Sequence, residues 1–436
     1  MKSTTSTHER YQSEFQQFAQ NQHEPTWLNK TRQKAMEYFT VQGFPNKKME
    51  EWRHASIEPI IENTFPLNTN IINKTNFIAA LEWKEKDWIE LVFVNGLFSS
   101  SLSLIPNNTN IQIQSMKTVL KENPDLLKPY LTVQTPKDAF TALNEAFMQD
   151  GAVIHILANQ IVKNPIHLIY LSQPDQPFTA HIRNVFILEP FSQAHILETY
   201  QSAHDSPYFN NCVTQIILKE NSKLTHCKFQ LESYKAFHMA WSHILQESNS
   251  YFQSTLITWG SAIARNNIHT QLSQEGSICH LNGLYFSSEN SHQHQDHHIL
   301  IEHIKGQTES QQTFKGLVNG QSHAVFVGKV IVHPNAQKSN ASQLNKNLLL
   351  AETATVDAQP QLEILADDVR CSHGATVGQL DENALFYLKS RGLNDIEARR
   401  LLMYAFASEI IEHISIVKIR DYFKNQLLEN IQDDEN

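Results

Sequence analysis

The residues of this 436-residue chain best equipped for chemistry are Cys371 and His373, in the run Val369-Arg370-Cys371-Ser372-His373-Gly374. A thiolate and a neutral imidazole both ligate iron or zinc, and an imidazole lowers the pKa of a neighbouring thiol. Leu362, Ile364, Val369 and Cys371 stand among polar residues in short alternating runs, which is the period of strands. Residues two apart on a strand share a face, so Cys371 and His373 project side by side. Gly374 frees the backbone to turn or to admit a close neighbour. The functional reading of the stretch is a metal, sulfur or thiol-chemistry site. The competing, plainer reading is a buried small cysteine beside a hydrogen-bonded histidine, and the residues alone favour it.

A second concentration is His292-Gln293-His294-Gln295-Asp296-His297-His298 with Glu302 and His303. His292, His294 and His298 have one parity and would share a strand face, which invites a metal assignment. A hydrogen-bonded ladder of side chains is the reading preferred for this His292–His303 cluster.

Several chemistries are excluded by pattern. No G-x-x-x-x-G-K-[ST], G-x-G-x-x-G or G-x-S-x-G occurs, and there are only 13 glycines. The chain is expected to bind no nucleotide through either backbone cradle and to carry no hydrolase elbow. If ATP drives its work, another subunit hydrolyses it. The formal charge of −10 opposes general attraction to nucleic acid or anionic membrane. No apolar run approaches the roughly 20 residues of a membrane span, and the first residues lack a secretory core, so a cytoplasmic location is expected. Cys212, Cys227, Cys279 and Cys371 form no C-x-x-C pair, which suggests neither a disulfide framework nor a zinc knuckle.

Three regions would position these residues. Residues 1–150 read as mostly helical: Phe15, Phe18, Trp27, Met36 and Phe39 mark two amphipathic helices, and Leu120, Leu126, Leu127, Phe140, Leu143 and Phe147 mark more. A strand-like run at 89–94 before Asn95-Gly96 interrupts them. Residues 151–380 carry short apolar or alternating runs at 153–157, 166–171, 185–188, 213–218, 224–231, 252–259, 278–286, 325–332, 348–350 and 362–365, separated by Asn-, Ser- and Gln-rich turns. No long helical period intervenes, so this is an all-β unit; sandwich, barrel and β-helix are not separable by spacing. Residues 381–436 turn helical: Asp381 caps a helix ending before Gly392, and Asn394 with Glu397 has the spacing of a capping box.

The run LEILADDVRCSHGATVGQL, then LFYLKSRG and EARRLLMYAFASEI, resembles the C-terminal signature of the SufB/SufD family of iron-sulfur cluster assembly scaffolds. The likeness continues upstream through QQTFKGLVNG, AVFVGKVIVHPNAQKSNASQLNKNLLLAETA and PQLEI. A string this long is far more specific than a lone triplet. Residues 45–60, with Glu50-Glu51-Trp52-Arg53, are similar to a tryptophan-containing segment of the SufD branch. SufB proteins run longer, carry an N-terminal cysteine cluster and are glutamate-rich where this chain reads Cys-Ser-His; here the first cysteine is Cys212.

The resemblance implies a mainly β fold, a right-handed parallel β-helix core flanked by N- and C-terminal helical regions. It implies a non-ATPase scaffold subunit that assembles with SufB and two copies of the SufC ATPase and helps build a transient iron-sulfur cluster at the SufB interface. His373, and less directly Cys371, would face a SufB cysteine there. Asp296 and His303 match family ladder positions. SufC would dock on the C-terminal helices, within 394–431 but at no assignable residue, and the isolated chain would self-pair as a homodimer. The rivals are a polysaccharide-active enzyme on a β-helix, which needs paired carboxylates along one groove where Asp367-Asp368 are merely adjacent, and a structural homodimer without cluster chemistry.

Overall fold

The computed structural model describes residues 7–20, 24–70, 83, 85, 87–106, 111–132, 138–173, 176–288 and 291–429. The final Gln432–Asn436 run, expected as a frayed tail, and positions 430 and 431 of the expected docking region lie outside them. Nine helices are described: α1 (Thr7–Gln20), α2 (Thr26–Gln42), α3 (Glu58–Glu62), α4 (Met116–Glu122), α5 (Lys128–Leu131), α6 (Ala139–Phe147), α7 (Glu382–Ser390), α8 (Asp395–Ile411) and α9 (Val417–Glu429). The strands are β1 (Ile89–Val94), β2 (Leu97–Phe98), β3 (Ile111–Ser115), β4 (Ala152–Ile156), β5 (Ile166–Ser172), β6 (Thr179–Leu188), β7 (Gln193–Ser202), β8 (Phe209–Leu218), β9 (Lys223–Glu232), β10 (Phe237–Gln246), β11 (Tyr251–Gly260), β12 (Ile263–Leu272), β13 (Ile278–Phe286), β14 (His294–His303), β15 (Glu309–Val318), β16 (His323–Val332), β17 (Asn340–Leu349), β18 (Thr355–Ile364) and β19 (Arg370–Gly378).

The chain winds as a parallel β-helix of about seven turns. From β4 onward successive strands alternate between two sheets: odd strands build one, ending in β17 and β19, and even strands the other, ending in β16 and β18. The coil begins before residue 151, because β1 pairs in parallel with β5 and β3 pairs antiparallel with β4. The inward faces of the strands before β18 and β19 are buried between the sheets, where Phe186, Tyr200, Phe252, Tyr285, Phe314 and Phe326 stack into one core.

One turn column explains the Asn- and Gln-rich connections. Asn159, Phe191, Asn221, Asn249, Gln307 and Lys338 hold φ between 53° and 63°, a left-handed conformation that Asn tolerates better than most residues. Each donates its backbone N–H to a carbonyl of the following coil: Asn159 to Pro190, Phe191 to Glu220, Asn221 to Ser248, Asn249 to Glu275, Gln307 to Gln337 and Lys338 to Asp368. The turns thus stack as regularly as the strands.

The outer faces are covered unequally. On the even sheet, Trp52, Ile57, Ile60, Phe65 and Phe140 pack on Phe209, Val213, Phe237, Met239 and Trp241. On the odd sheet, Met403, Ala407, Ile410, Ile411 and Ile414 of the C-terminal helices, with Ile419, Phe423 and Leu427, pack on Cys227, Phe229, Ile257, Leu284, Phe286 and Leu317. Among the described residues the helices therefore cover a flank of the β-unit and leave β18 and β19 at its end uncovered. No helix among the described residues is long and apolar enough to cross a membrane.

Candidate functional site

The open end of the coil is made by β18 and β19, the last strand of each sheet. β19 pairs with β17 on one side only, Cys371 opposite Ala341 and His373 opposite Gln343. Cys371 and His373 do share the inward-facing parity. Their fates differ because nothing stacks beyond them. Cys371 is half-buried against the interior core, and burial pushes its thiol up from the ordinary value. His373 extends the inward row Gln312–Gln343, yet it is exposed and makes no side-chain hydrogen bond among the described residues. The buried, hydrogen-bonded alternative is thus absent at His373, whereas Cys371 has some of its character.

Gly374 does not turn the chain. It lies within β19, and a Cβ there would meet only Leu344 Cδ1 at 3.6 Å, ordinary contact. Asp367 and Asp368 fall in the bend between β18 and β19, outside either strand. Around the site, Ile364 is 44% exposed, Leu365 52% and Val377 47%. An apolar strand edge with free backbone groups on one side is a template for another chain.

The histidine-rich stretch forms β14. His294 and His298 share the outer face, and they flank Asp296 rather than converging on one another. Arg265 Nη1 lies 2.6 Å and His298 Nε2 2.9 Å from its carboxylate. Burial alone would push the Asp296 carboxyl up, but Arg265 and His298 hold it far below the usual range. Arg265 also lies 3.8 Å above the ring of Trp52 and donates to the Glu51 carbonyl. The tryptophan-containing segment is pinned to the coil through this pair. His303 points the other way, into the core, where its ring nitrogens meet Thr308 Oγ1 and Ser310 Oγ at 2.7 and 2.8 Å. Asp296 and His303 are ladder positions on opposite faces. His292 is exposed before the strand.

Sequence reasoning missed a polar network inside the coil. Glu198 accepts from the Tyr200 hydroxyl at 2.7 Å and contacts His226 Nε2 at 3.0 Å. Lys228 Nζ donates to Asn266 Oδ1 at 2.9 Å and to His238 Nε2 at 3.1 Å. Because His238 Nε2 accepts, its Nδ1 carries the proton, and it lies 2.8 Å from the Glu232 carboxylate. Burial would raise the Glu198 and Glu232 carboxyls, yet the surrounding donors and cations bring both below the usual value. The only sequence signal was parity: Glu198, His226, Lys228, Glu232 and His238 occupy inward positions, but polar residues there break the alternation by which strands are recognised.

On the C-terminal helices, Asp381 caps α7 and Asn394 with Glu397 forms the capping box of α8. Lys315 of β15 anchors α8 through Glu409 at 2.5 Å and the Phe406 carbonyl at 2.8 Å. The outward face carries Phe386, 75% exposed, with Tyr387 and Leu401. Arg399 is paired with Asp395 and Lys418 with Glu85, while Arg391 lies over the Tyr387 ring.

Comparison with known proteins is consistent along most of the chain. Residues 170–406 match the family described as SUF system FeS cluster assembly, SufBD core domain, and residues 1–168 match the SufBD protein N-terminal region. An iron-sulfur cluster assembly SufBD family protein of Synechocystis sp. is 34% identical over 418 residues, 91% of this chain and 90% of the relative. The iron-sulfur cluster assembly protein SufD of Escherichia coli is 32% identical over 376 residues, 85% of each chain. SufD of Bacillus subtilis is 24% identical over 418 residues, 92% of this chain and 94% of the relative.

Proposed function

This chain belongs to the SufBD family of SUF-system iron-sulfur cluster assembly proteins, and from that premise we propose that it is the SufD-type scaffold of a complex with SufB and the ATPase SufC. The observation that carries the reading is the uncovered last coil: an apolar strand edge, open for pairing, that carries His373 exposed and without a side-chain partner. SufB would pair along β18 and β19, and the neutral imidazole of His373 would hold iron of the nascent cluster, the cargo, opposite a sulfur ligand from SufB. Cys371, half-buried with a raised thiol pKa, is a weaker nucleophile and ligand, so it acts in a lesser role.

The exposed face of α7 and α8, with Phe386, Tyr387 and Leu401, is the docking surface assigned to SufC. ATP hydrolysis belongs to SufC, and the present chain is not itself an enzyme. Closure of two SufC subunits would pull on these helices and, through the anchored odd sheet, open the SufB junction. Within this reading residues 1–150 are a mostly helical N-terminal region that also supplies β1–β3 to the sheets, 151–380 the rest of the β-helix core and 381–436 the docking region, working in the cytoplasm. Without SufB the same open edge would pair with a second copy.

The test is anaerobic co-purification of the chain with SufB and SufC, followed by iron and sulfide analysis. A stable three-component complex that gains iron and sulfide supports the proposal. A chain that neither binds SufB nor SufC, or that hydrolyses ATP in a SufC-free preparation, refutes it.

A further inference from the structure

Outside that site, three side chains from separate parts of the chain converge at one point. His54 follows the short 3-10 turn Glu50–Trp52 of the N-terminal region, His323 opens β16 and Asp357 lies on β18. His54 Nδ1 is 3.0 Å and His323 Nε2 2.7 Å from the same oxygen, Asp357 Oδ2. One donor atom from each residue lies within 4.8 Å of the others. The two imidazole planes are inclined by 69°, so their nitrogens approach the carboxylate from different directions.

We propose that His54, His323 and Asp357 form a binding site for one divalent transition-metal ion of borderline character, zinc or ferrous iron. Two imidazole nitrogens and a carboxylate oxygen are the donor set such ions take. Ligand atoms about 2.1 Å from a tetrahedral ion stand about 3.4 Å apart, so the 2.7 and 3.0 Å spacings to Asp357 need to open by about 0.7 and 0.4 Å. Side-chain exposures of 26%, 28% and 40% leave the ion a path from solvent and room for a water ligand.

The surroundings fit ligation. The Gln359 amide lies 3.3 Å from His54 Nε2, and an amide can present its oxygen in place of its nitrogen. Turned that way it accepts Nε2–H and leaves the Nδ1 lone pair facing Asp357, which is how outer groups orient a ligating histidine. The His294 ring lies 5.1 Å from that of His323, and its Nε2 is screened from solvent with no hydrogen-bond partner among the described residues, a further nitrogen beside the site. The ion would tie the N-terminal region to the last even strand, next to the open end of the coil. This inference is independent of the assignment to SufD.

The experiment uses the full-length chain, stripped with chelator and dialysed against zinc or, anaerobically, ferrous iron, with bound metal measured by elemental analysis. One equivalent of either ion is expected on the parent and on a His373→Ala/Cys371→Ala variant, which keeps this site separate from the cluster site. His54→Ala, His323→Ala and Asp357→Asn should each bind about tenfold or more weakly. Zinc should raise the melting temperature of the parent but not of Asp357→Asn, whose amide keeps the carboxylate's shape and so separates ligation from folding. A chain that retains no metal, or retains it undiminished in His323→Ala and Asp357→Asn, overturns the proposal.

Discussion

His373 and His297 make opposite demands on their surroundings. His373 is exposed and unpartnered on β19, so His373→Ala should change stability by no more than about 0.5 kcal/mol while abolishing cluster formation in the complex. Cys371→Ala should give a milder defect. The checks are thermal melting and growth of a strain that depends on this pathway; full growth with His373→Ala would remove the residue from the chemistry. His297 is buried against Tyr285 and Phe314, and neither ring nitrogen has a hydrogen-bond partner among the described residues. Burial lowers its pKa to about 3, and similarly lowers His181 to about 3 and His294 and His303 to about 4. Below the unfolded value of about 6.5 the unfolded chain takes protons that the folded chain refuses, so stability falls with falling pH, by about 1.4 kcal/mol per unit for each such group until its folded pKa is reached. His297→Phe keeps an aromatic ring in the stack and removes one proton from that balance. Its melting temperature should match or exceed the parent's at pH 7.5 and fall less steeply between pH 6.5 and 4; an unchanged slope would show that His297 is protonated in the folded state.

At the scale of elements, the C-terminal helices were the most legible part of the chain. Their caps are local: Asp381 accepts from Asn383 and Ala384, and Asn394 and Glu397 bond reciprocally within four residues. Where they pack was not local information. Ile410 and Ile414 are buried against the sheet and Leu402 and Phe406 partly so, but Leu401 is left exposed. Because α8 and α9 cover Phe229, Ile257 and Leu284, deleting the chain from Asn394 would expose that apolar flank and confuse lost docking with lost solubility. A point change is cleaner. Phe386→Asp, on a side chain 75% exposed, should abolish SufC capture in a pull-down while melting within a few degrees of the parent. SufC captured as well as before would move the docking surface elsewhere.

For the whole molecule, the asymmetry between its ends sets its behaviour. The first coils are enclosed by α2, α4 and α6 and by the Trp52 segment, whereas β18 and β19 end the sheets without cover. Natural sheets blunt such edges with lysine or proline; β18 carries one, Pro360, whereas β19 has neither along its length, which leaves Val377 on an unblunted edge. Val377→Lys should leave the isolated fold intact and prevent both self-pairing and SufB binding, measured by sedimentation or light scattering with and without SufB. Undiminished assembly would place the interface away from β19.

The sequence by itself determined the family, through the long C-terminal run, and it determined the helix caps, the all-β character of the middle region and the shared parity of Cys371 and His373. These depend on short-range order: caps within four residues and alternation within five. It did not reveal strands such as β7, β10, β12 and β14, because Glu198, His238, Asn266 and His297 occupy inward positions. In a parallel coil an inward polar group can bond a residue brought beside it from another strand, as Gln312 Oε1 accepts from Gln343 and Lys228 donates to His238 and Asn266, so local alternation need not be kept. Only the tertiary structure decided that His373 lacks a partner, that Asp296 holds Arg265 under Trp52, and that His54, some 270 residues from His323, meets it at Asp357. Each of those facts depends on which coil is stacked on which and on where the stack stops.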